Sequence, residues 1–324
     1  MSGVDGAGSR TWRSSARVLG VMTVAALALG ACSGSPGETS SQGADTSAGS
    51  SSDVQPVHVP QDQTRWTLPT DPYVTSFAVV AQAFDVVQAN CMHERGHESF
   101  QVRHDASAPA PQTQAADGYS AVFNETVAAT YGYRLTPDPR DLLEDKIAAA
   151  GGSLYGNESD EFWTDFNECS TEADTALNGG TPLPTSVPQE AGEGGIHSGL
   201  NRLAVDFSSP QLVTAAESWR ACMTPLGIVD LPDRPWLPGA QPPESLVAAW
   251  GWQTTGAPTA DELRVATADA ACRRSSGWFD QLYEAEWNLR QDFVAQHVAD
   301  LEPVRLQLEQ QRATAEQIIA RGGA

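Results

Sequence analysis

The sequence predicts a mainly α-helical domain that is stabilised by disulfide bonds and ends in a long amphipathic helix. Apolar side chains recur at steps of three and four residues in five segments, which is the period of a helix with one buried face. Alternation of apolar and polar residues, which is typical of strands, is scarce. Together these observations favour packed helices over a fold built on a sheet.

Residues 1–31 have the composition of an export signal. A polar front that carries three arginines is followed by an apolar run from Val18 to Leu29. A helix needs about 20 apolar residues to cross a bilayer, so this shorter run favours a signal peptide over a membrane-spanning helix.

The apolar run ends in Leu29-Gly30-Ala31-Cys32. Small residues before a cysteine at this place resemble the bacterial lipobox, where the thiol is acylated and the chain is cut in front of it. We therefore expect Cys32 to carry palmitate or related acyl chains, which enter the membrane lipid and hold the protein on the extracytoplasmic face of the cell membrane. An ordinary secretory cleavage site beside an incidental cysteine is the alternative interpretation.

Residues 32–66 are predicted to form a disordered tether between the lipid anchor and the folded domain. The stretch from Ser33 to Gln55 is rich in serine and glycine and contains one large apolar side chain, Val54. Such a segment cannot bury enough apolar surface to fold, and it behaves as a flexible linker. The helical extracytoplasmic domain is expected to occupy residues 67–324.

Four helices are predicted from apolar spacing and from the residues that cap helix ends. The fourth carries a capping box, in which a threonine and a glutamate three residues later satisfy each other's backbone N–H groups. The predicted helices run from Asp71-Pro72 to Gly96, from Asp160 to Gly179, from Ser209-Pro210 to Met223, and from Thr259, with Glu262 in its capping box, to Cys272.

A fifth and longer helix is predicted from about Trp278 to Ile319. Its apolar side chains follow the helical period over most of this length. Pro303 lies inside the segment, and a proline removes one backbone hydrogen bond and clashes with the preceding turn. We therefore expect a kink at Pro303, or a new helix that begins there.

Four cysteines remain after Cys32, and in an exported protein an even number indicates disulfide bonds. Four cysteines can pair in three ways. Two segments of the form Cys-Met-x-x-x-Gly each end a predicted helix and each precede a further cysteine, so the domain is a possible weak duplication of residues 67–190 and 196–324. A duplication would pair Cys91 with Cys169 and Cys222 with Cys272.

Several motifs together resemble a group of secreted actinobacterial proteins, many of them lipoproteins. The resemblance spans roughly residues 77–315 and implies a helical fold with paired disulfides, but it transfers no catalytic residue. Its motifs are the two Cys-Met-x-x-x-Gly segments, Tyr131-Gly132-Tyr133, Glu168 to Ala173, Trp219, and Ala266 to Cys272 followed by a long charged helix.

The segment from His93 to His97 matches the H-E-x-x-H pattern of zinc peptidases. In those enzymes two histidines on one helix bind zinc and the glutamate, here Glu94, activates the bound water. The second Cys-Met-x-x-x-Gly segment has Thr224-Pro225 where this one has His93 and Glu94, and Gly96 is expected to end the helix. We therefore expect a solvated helix end, and a metal site of His93, Glu94 and His97 is the alternative.

The charge of the chain narrows the classes of partner. The formal net charge is −22, and the basic residues are arginines apart from the single Lys146. A nucleic-acid partner is therefore not expected, because its phosphates would be repelled. The arginine bias indicates a genome rich in G and C, which agrees with an actinobacterial source.

The leading functional expectation is a non-catalytic binding or interaction module of the cell envelope. Its partners would be membrane lipid, through Cys32, and an unidentified envelope protein or ligand, and no cofactor is expected. The alternatives are a zinc metallopeptidase that uses His93, Glu94 and His97, and the solute-binding subunit of an importer, whose fold needs strands.

Overall fold

The computed structural model describes residues 55–322, apart from 76, 119, 181–198 and 201. The predicted signal peptide, Cys32 and most of the predicted tether lie outside the described residues.

The described part of the chain is helical and contains no β-strand, only two isolated β-bridges. The prediction of a mainly α-helical domain is confirmed. Within the described ranges, two short 3-10 turns, Asp71–Tyr73 and Thr224–Leu226, accompany eight α-helices with defined bounds: α1 (Phe77–Glu94), α2 (Glu125–Tyr131), α3 (Glu144–Ala149), α4 (Asp160–Leu177), α5 (Pro210–Met223), α6 (Glu244–Trp250), α7 (Ala260–Ser275) and α8 (Trp278–Arg321).

The first predicted helix begins later than expected. Asp71 and Pro72 open a 3-10 turn, after which Val74 is extended and α1 starts at Phe77. The Asp71 carboxylate does not cap a helix, because it accepts a hydrogen bond from the N–H of Leu68, on its N-terminal side, at 3.0 Å. The predicted end is close, since α1 stops at Glu94 and Gly96 takes a left-handed φ of 94°.

The long C-terminal helix α8 is the central packing element of the fold, because it contacts α1, α4, α5 and α7. Its one described break lies at His297, where φ is −122° and ψ is 17°, and so precedes the expected kink at Pro303. Successive clusters of buried side chains line its length: Leu212, Trp278 and Leu282; Leu68, Tyr283 and Trp287; Tyr73, Val294 and Leu301; and Ala83, Leu177 and Ala315.

Two disulfides link pairs of packed helices, as the duplication predicted. Cys91–Cys169 joins α1 to α4, and Cys222–Cys272 joins α5 to α7, each with Cα atoms 5.6 Å apart. By loop entropy, each cross-link stabilises the fold by about 4 kcal/mol. The two predicted halves are not separate bodies, because α2 of the first half packs against α7 of the second.

Residues before the predicted domain boundary at 67 contact the helical body. Val59 and Trp66 pack against the cluster of Leu68, Tyr283 and Trp287. The backbone N–H of Asp62 donates to Tyr283 Oη at 3.2 Å. The packed part of the chain therefore extends N-terminally beyond residue 67. Among the described helices, none combines the length and the apolar composition that a membrane crossing requires.

Candidate binding groove and the buried network beside it

A groove of about 610 Å³ opens beside the N-terminal half of α8. One wall is the face of α8 that carries Leu282, Glu286, Leu289 and Arg290, residues that share a side because they are spaced by three, four, seven and eight positions. The remaining lining comes from loops: Trp66; Ser120 and Ala121; Leu135; Leu203, Ala204, Val205 and Phe207; and Leu237, Pro238 and Gly239. The groove is therefore mainly apolar, with polar groups concentrated on α8.

Trp66 is held in the groove wall in a strained backbone conformation. Its φ of 52° is left-handed, and no other non-glycine residue in the described ranges has a φ in that region. A bulky residue in this region costs about 1 to 3 kcal/mol, which the surrounding contacts must offset. Trp66 Nε1 donates to Glu286 Oε2 at 2.8 Å, and the indole meets the Tyr283 ring edge-on at 5.1 Å. The indole is thereby fixed before any ligand arrives.

The polar groups of α8 in the groove are paired with each other. Arg290 donates to Glu286 Oε1 through Nε at 3.1 Å and through its terminal nitrogen at 2.9 Å, and it reaches Thr70 Oγ1 at 3.4 Å. Both side chains of the ion pair are about one fifth exposed. Glu286 thus bridges Trp66 and Arg290, so one carboxylate orients two groove residues.

Asp71 lies close enough to Glu286 and Arg290 for their charges to affect its pKa. Burial raises the pKa of Asp71 to about 6, the N–H of Leu68 lowers it, Asp117 raises it, and Arg290 and Glu286 act in opposite directions. Asp71 Oδ1 is buried without a hydrogen-bond partner among the described residues. The carboxyl therefore changes between its protonated and ionised forms near pH 6.

A buried charged network centres on Asp269 of α7. The Asp269 carboxylate is fully buried and accepts four hydrogen bonds: from Tyr133 Oη at 3.0 Å, from Trp219 Nε1 at 2.7 Å, and from two nitrogens of Arg273 at 2.9 Å each. Burial and the Asp269 carboxylate raise the pKa of Tyr133 well above its usual range, so the phenol remains a donor. With every lone pair engaged, the buried charge is compensated.

A second buried carboxylate, Glu262, binds the backbone of Tyr133 and the side chain of the next residue, Arg134. It accepts hydrogen bonds from Arg134 Nε at 2.9 Å and from the backbone N–H of Tyr133 at 3.2 Å. Gly132, with φ of 62°, approaches so closely that a Cβ would lie 2.8 Å from Glu262 Oε1. Only glycine satisfies both the backbone angle and the space.

The predicted capping box at the start of α7 is half correct. Thr259 Oγ1 accepts the N–H of Glu262 at 3.1 Å, as expected. The Glu262 side chain does not complete the box, because it turns into the protein to pair with Arg134. A tertiary ion pair thus replaces the local hydrogen bond that the sequence pattern predicts.

The network holds one wall of the groove. Arg273 donates to the carbonyl oxygen of Trp236 at 2.9 Å, and its guanidinium lies over the rings of Phe123 at 4.7 Å and Trp236 at 5.2 Å. Trp236 precedes the loop Leu237–Gly239, which lines the groove and also a smaller cavity closed by Tyr133 and Arg273. The position of this groove wall therefore depends on Arg273.

The structure brings together residues that carried the sequence resemblance. Gly132, Tyr133, Trp219 and Asp269 come from three separate motifs and meet at this network. Sequence reasoning did not single out Arg273, although its spacing four residues after Asp269 on an otherwise apolar helix face was a usable signal. No sequence pattern indicated Trp66 or the groove, because its walls are distant along the chain.

The residues of the zinc-peptidase pattern do not share a helix. α1 ends at Glu94, so His97 lies beyond the helix that carries His93. His93 Nε2 is 2.8 Å from the carbonyl oxygen of Phe100, whereas His97 Nε2 is 2.8 Å from Asp165 Oδ2. Among the described residues, no group of three or more His, Cys, Asp or Glu side chains is arranged to hold a metal ion.

Comparisons with protein-family models, with curated proteins and with solved structures return no match for this chain.

Replacing Asp269 by asparagine is expected to lower the free energy of unfolding by about 3 to 5 kcal/mol, because it leaves the Arg273 guanidinium buried without a counter-charge. Urea unfolding at neutral pH measures the change. The matched control is Glu316→Gln, which breaks an exposed ion pair with Arg312 on α8 and should cost less than about 1 kcal/mol. Equal losses in the two variants would contradict the structural role of Asp269.

Replacing Asp71 by asparagine should stabilise the protein as the pH rises. The folded pKa is about 6 and the ordinary value is 3.8, so wild type loses stability as the pH rises from 3.8 through 6. After allowance for partial exposure, the gain in Asp71→Asn is about 1 kcal/mol near pH 7.5 and vanishes near pH 4. Urea unfolding at both pH values tests this.

The control for Asp71 is Asp206→Asn. Hydrogen bonds from Ser208 lower the pKa of Asp206, so its loss should destabilise the protein at the higher pH. A stability gain for Asp71→Asn that is the same at both pH values would show that its ionisation is not the cause.

Proposed function

We propose that this chain is a lipid-anchored binding protein on the extracytoplasmic face of the cell membrane, and that its groove takes a small, mainly apolar molecule. The carrying observation is the groove, in which a strained Trp66 is fixed by Glu286 within apolar walls. A volume of about 610 Å³ lies in the range of small-molecule sites. Strained residues that the surrounding structure holds in place cluster at such sites.

The polar pattern of the groove supports binding rather than catalysis. The Glu286 carboxylate is committed to Arg290 and to Trp66, and the Arg290 guanidinium is committed to Glu286. These paired groups orient a ligand at one end, while Leu282, Leu289 and Phe207 supply apolar contact. A few placed polar groups among apolar walls are the usual composition of a ligand pocket.

The proposed location rests on the sequence before the described residues and on the disulfides. The apolar run before Cys32 and the small residues next to it fit a lipoprotein signal. The two disulfides support an oxidising compartment, because such bonds persist outside the cytoplasm. A tether that begins at Cys32 would hold the helical body near the membrane.

No second function is proposed. The peptidase hypothesis requires His93 and His97 on one helix, and they are not. The importer hypothesis requires strands alternating with helices, and the described ranges contain no strand.

The anchor is tested by metabolic labelling with an alkyne-bearing fatty acid. The wild-type chain should take up the label and sediment with membranes, whereas Cys32→Ser should lose both properties because it lacks the acylated thiol. Ser33→Ala is the control beside it and should retain the label. Labelled Cys32→Ser would exclude this residue as the lipid attachment site.

The groove is tested with N-phenyl-1-naphthylamine, an apolar dye, added to the full chain in lipid nanodiscs. Binding should give a saturable rise in fluorescence above that of empty nanodiscs. Leu289→Trp places a larger ring in the groove and should weaken binding at least about tenfold. The control is Leu306→Trp, which alters an exposed residue farther along the same helix and should leave binding unchanged. A response equal in both variants would count against the groove as the site.

A further inference from the structure

A second pocket, separate from the groove, lies between α1, α3 and α4. Its volume is about 220 Å³, smaller than a typical drug-sized site. None of its lining residues lines the groove. They are Gln88 on α1, Phe100 and Arg103 after α1, Ile147 on α3, Gly152, Ser153, Leu154 and Tyr155 in the next loop, and Trp163 and Phe166 on α4.

Arg103 gives this pocket a cationic group without a counter-ion. No described residue hydrogen-bonds or ion-pairs with its guanidinium, and its Nε is buried and unpartnered. The other arginines with no hydrogen-bond, ion-pair or ring partner in the described ranges, Arg65, Arg202 and Arg321, are exposed to water. Arg103 is half-buried, and its Nε has lost its hydration without gaining a partner, which costs free energy.

The carboxylate that contacts the backbone of Arg103 is already engaged. Asp85 is buried and accepts the backbone N–H of Arg103 at 2.8 Å and His104 Nδ1 at 2.7 Å. The chain has a net charge of −22, so a half-buried arginine that no described carboxylate pairs is unexpected for structural reasons alone. The vacant donor geometry of a guanidinium matches a carboxylate, which can accept two parallel hydrogen bonds.

The walls of the pocket are aromatic. Phe100 and Tyr155 lie nearly parallel with ring centroids 5.2 Å apart, and Phe166 meets Phe100 edge-on at 6.0 Å. Trp163 remains 38% exposed at the rim. Phe100 is only 3% exposed and packs on Tyr155 and Phe166, so the ring surface left for a ligand belongs to Tyr155, Trp163 and Phe166. Burial raises the pKa of Tyr155, while the Gln101 backbone and the charge of Arg103 act in the opposite direction, so the phenol stays neutral.

We propose that this pocket binds a small aromatic carboxylate, with its ring against Tyr155, Trp163 and Phe166 and its carboxylate paired with Arg103. The volume limits the ligand to about one ring. Gln88, which is buried and donates to Ser170 Oγ at 2.7 Å, forms the polar part of the wall on α1.

The proposal is tested by fluorine NMR of 4-fluorobenzoate with the purified full chain at neutral pH. Saturable line broadening is expected, and the uncharged 4-fluorobenzamide should bind at least about tenfold more weakly, because it lacks the charge that pairs with Arg103. This comparison uses the unmodified protein and does not depend on whether a variant folds.

The matched variants are Arg103→Gln and Arg65→Gln. Both remove one unpaired arginine charge, but only the first removes it from the pocket. Arg103→Gln should weaken 4-fluorobenzoate binding at least about tenfold with little change in the thermal unfolding temperature, and Arg65→Gln should bind as wild type does. Equal binding of acid and amide, equal binding by the two variants, or no saturable binding up to millimolar concentration would overturn the proposal.

Discussion

The buried pairing of Asp269 with Arg273 is the interaction on which the rest of this fold depends. Two opposite charges in a dry interior are tolerable only when their remaining hydrogen-bonding groups are also satisfied. Here Tyr133 and Trp219 complete the carboxylate, and the Trp236 carbonyl completes the guanidinium. These partners come from separate segments, so satisfying one charge fixes the relative positions of α5, α7 and two loops.

The groove inherits its shape from that network and from α8. Arg273 fixes the Trp236 carbonyl, and the following residues form one wall. α8 supplies the opposite wall from residues on one helical face, among them Glu286, which also holds Trp66. A rigid helix and a loop anchored by a buried charge thus enclose an apolar space that hydrophobic collapse alone would tend to close.

The two pockets differ in how their charges are used. In the groove, the charges of Glu286 and Arg290 neutralise each other. An apolar ligand would therefore meet fixed polar groups with no net charge. In the aromatic pocket, Arg103 is unpaired among described residues, so an anion would gain most there. The proposed ligands therefore differ in charge, although both proposals place a small molecule against fixed aromatic side chains.

The sequence by itself determined the helical class and the main helix segments, because these follow from local periodicity, and its repeated cysteine motif favoured one of the three possible disulfide pairings. At three places, tertiary contacts produced a structure that differs from the one the local sequence pattern predicts. The Glu262 side chain left its capping box for Arg134, Asp71 turned to Leu68, and α8 broke at His297 ahead of Pro303. Tertiary structure also decided both pockets, because their walls join residues far apart in the chain, and no local pattern encodes which distant side chains meet or which charge is left without a partner.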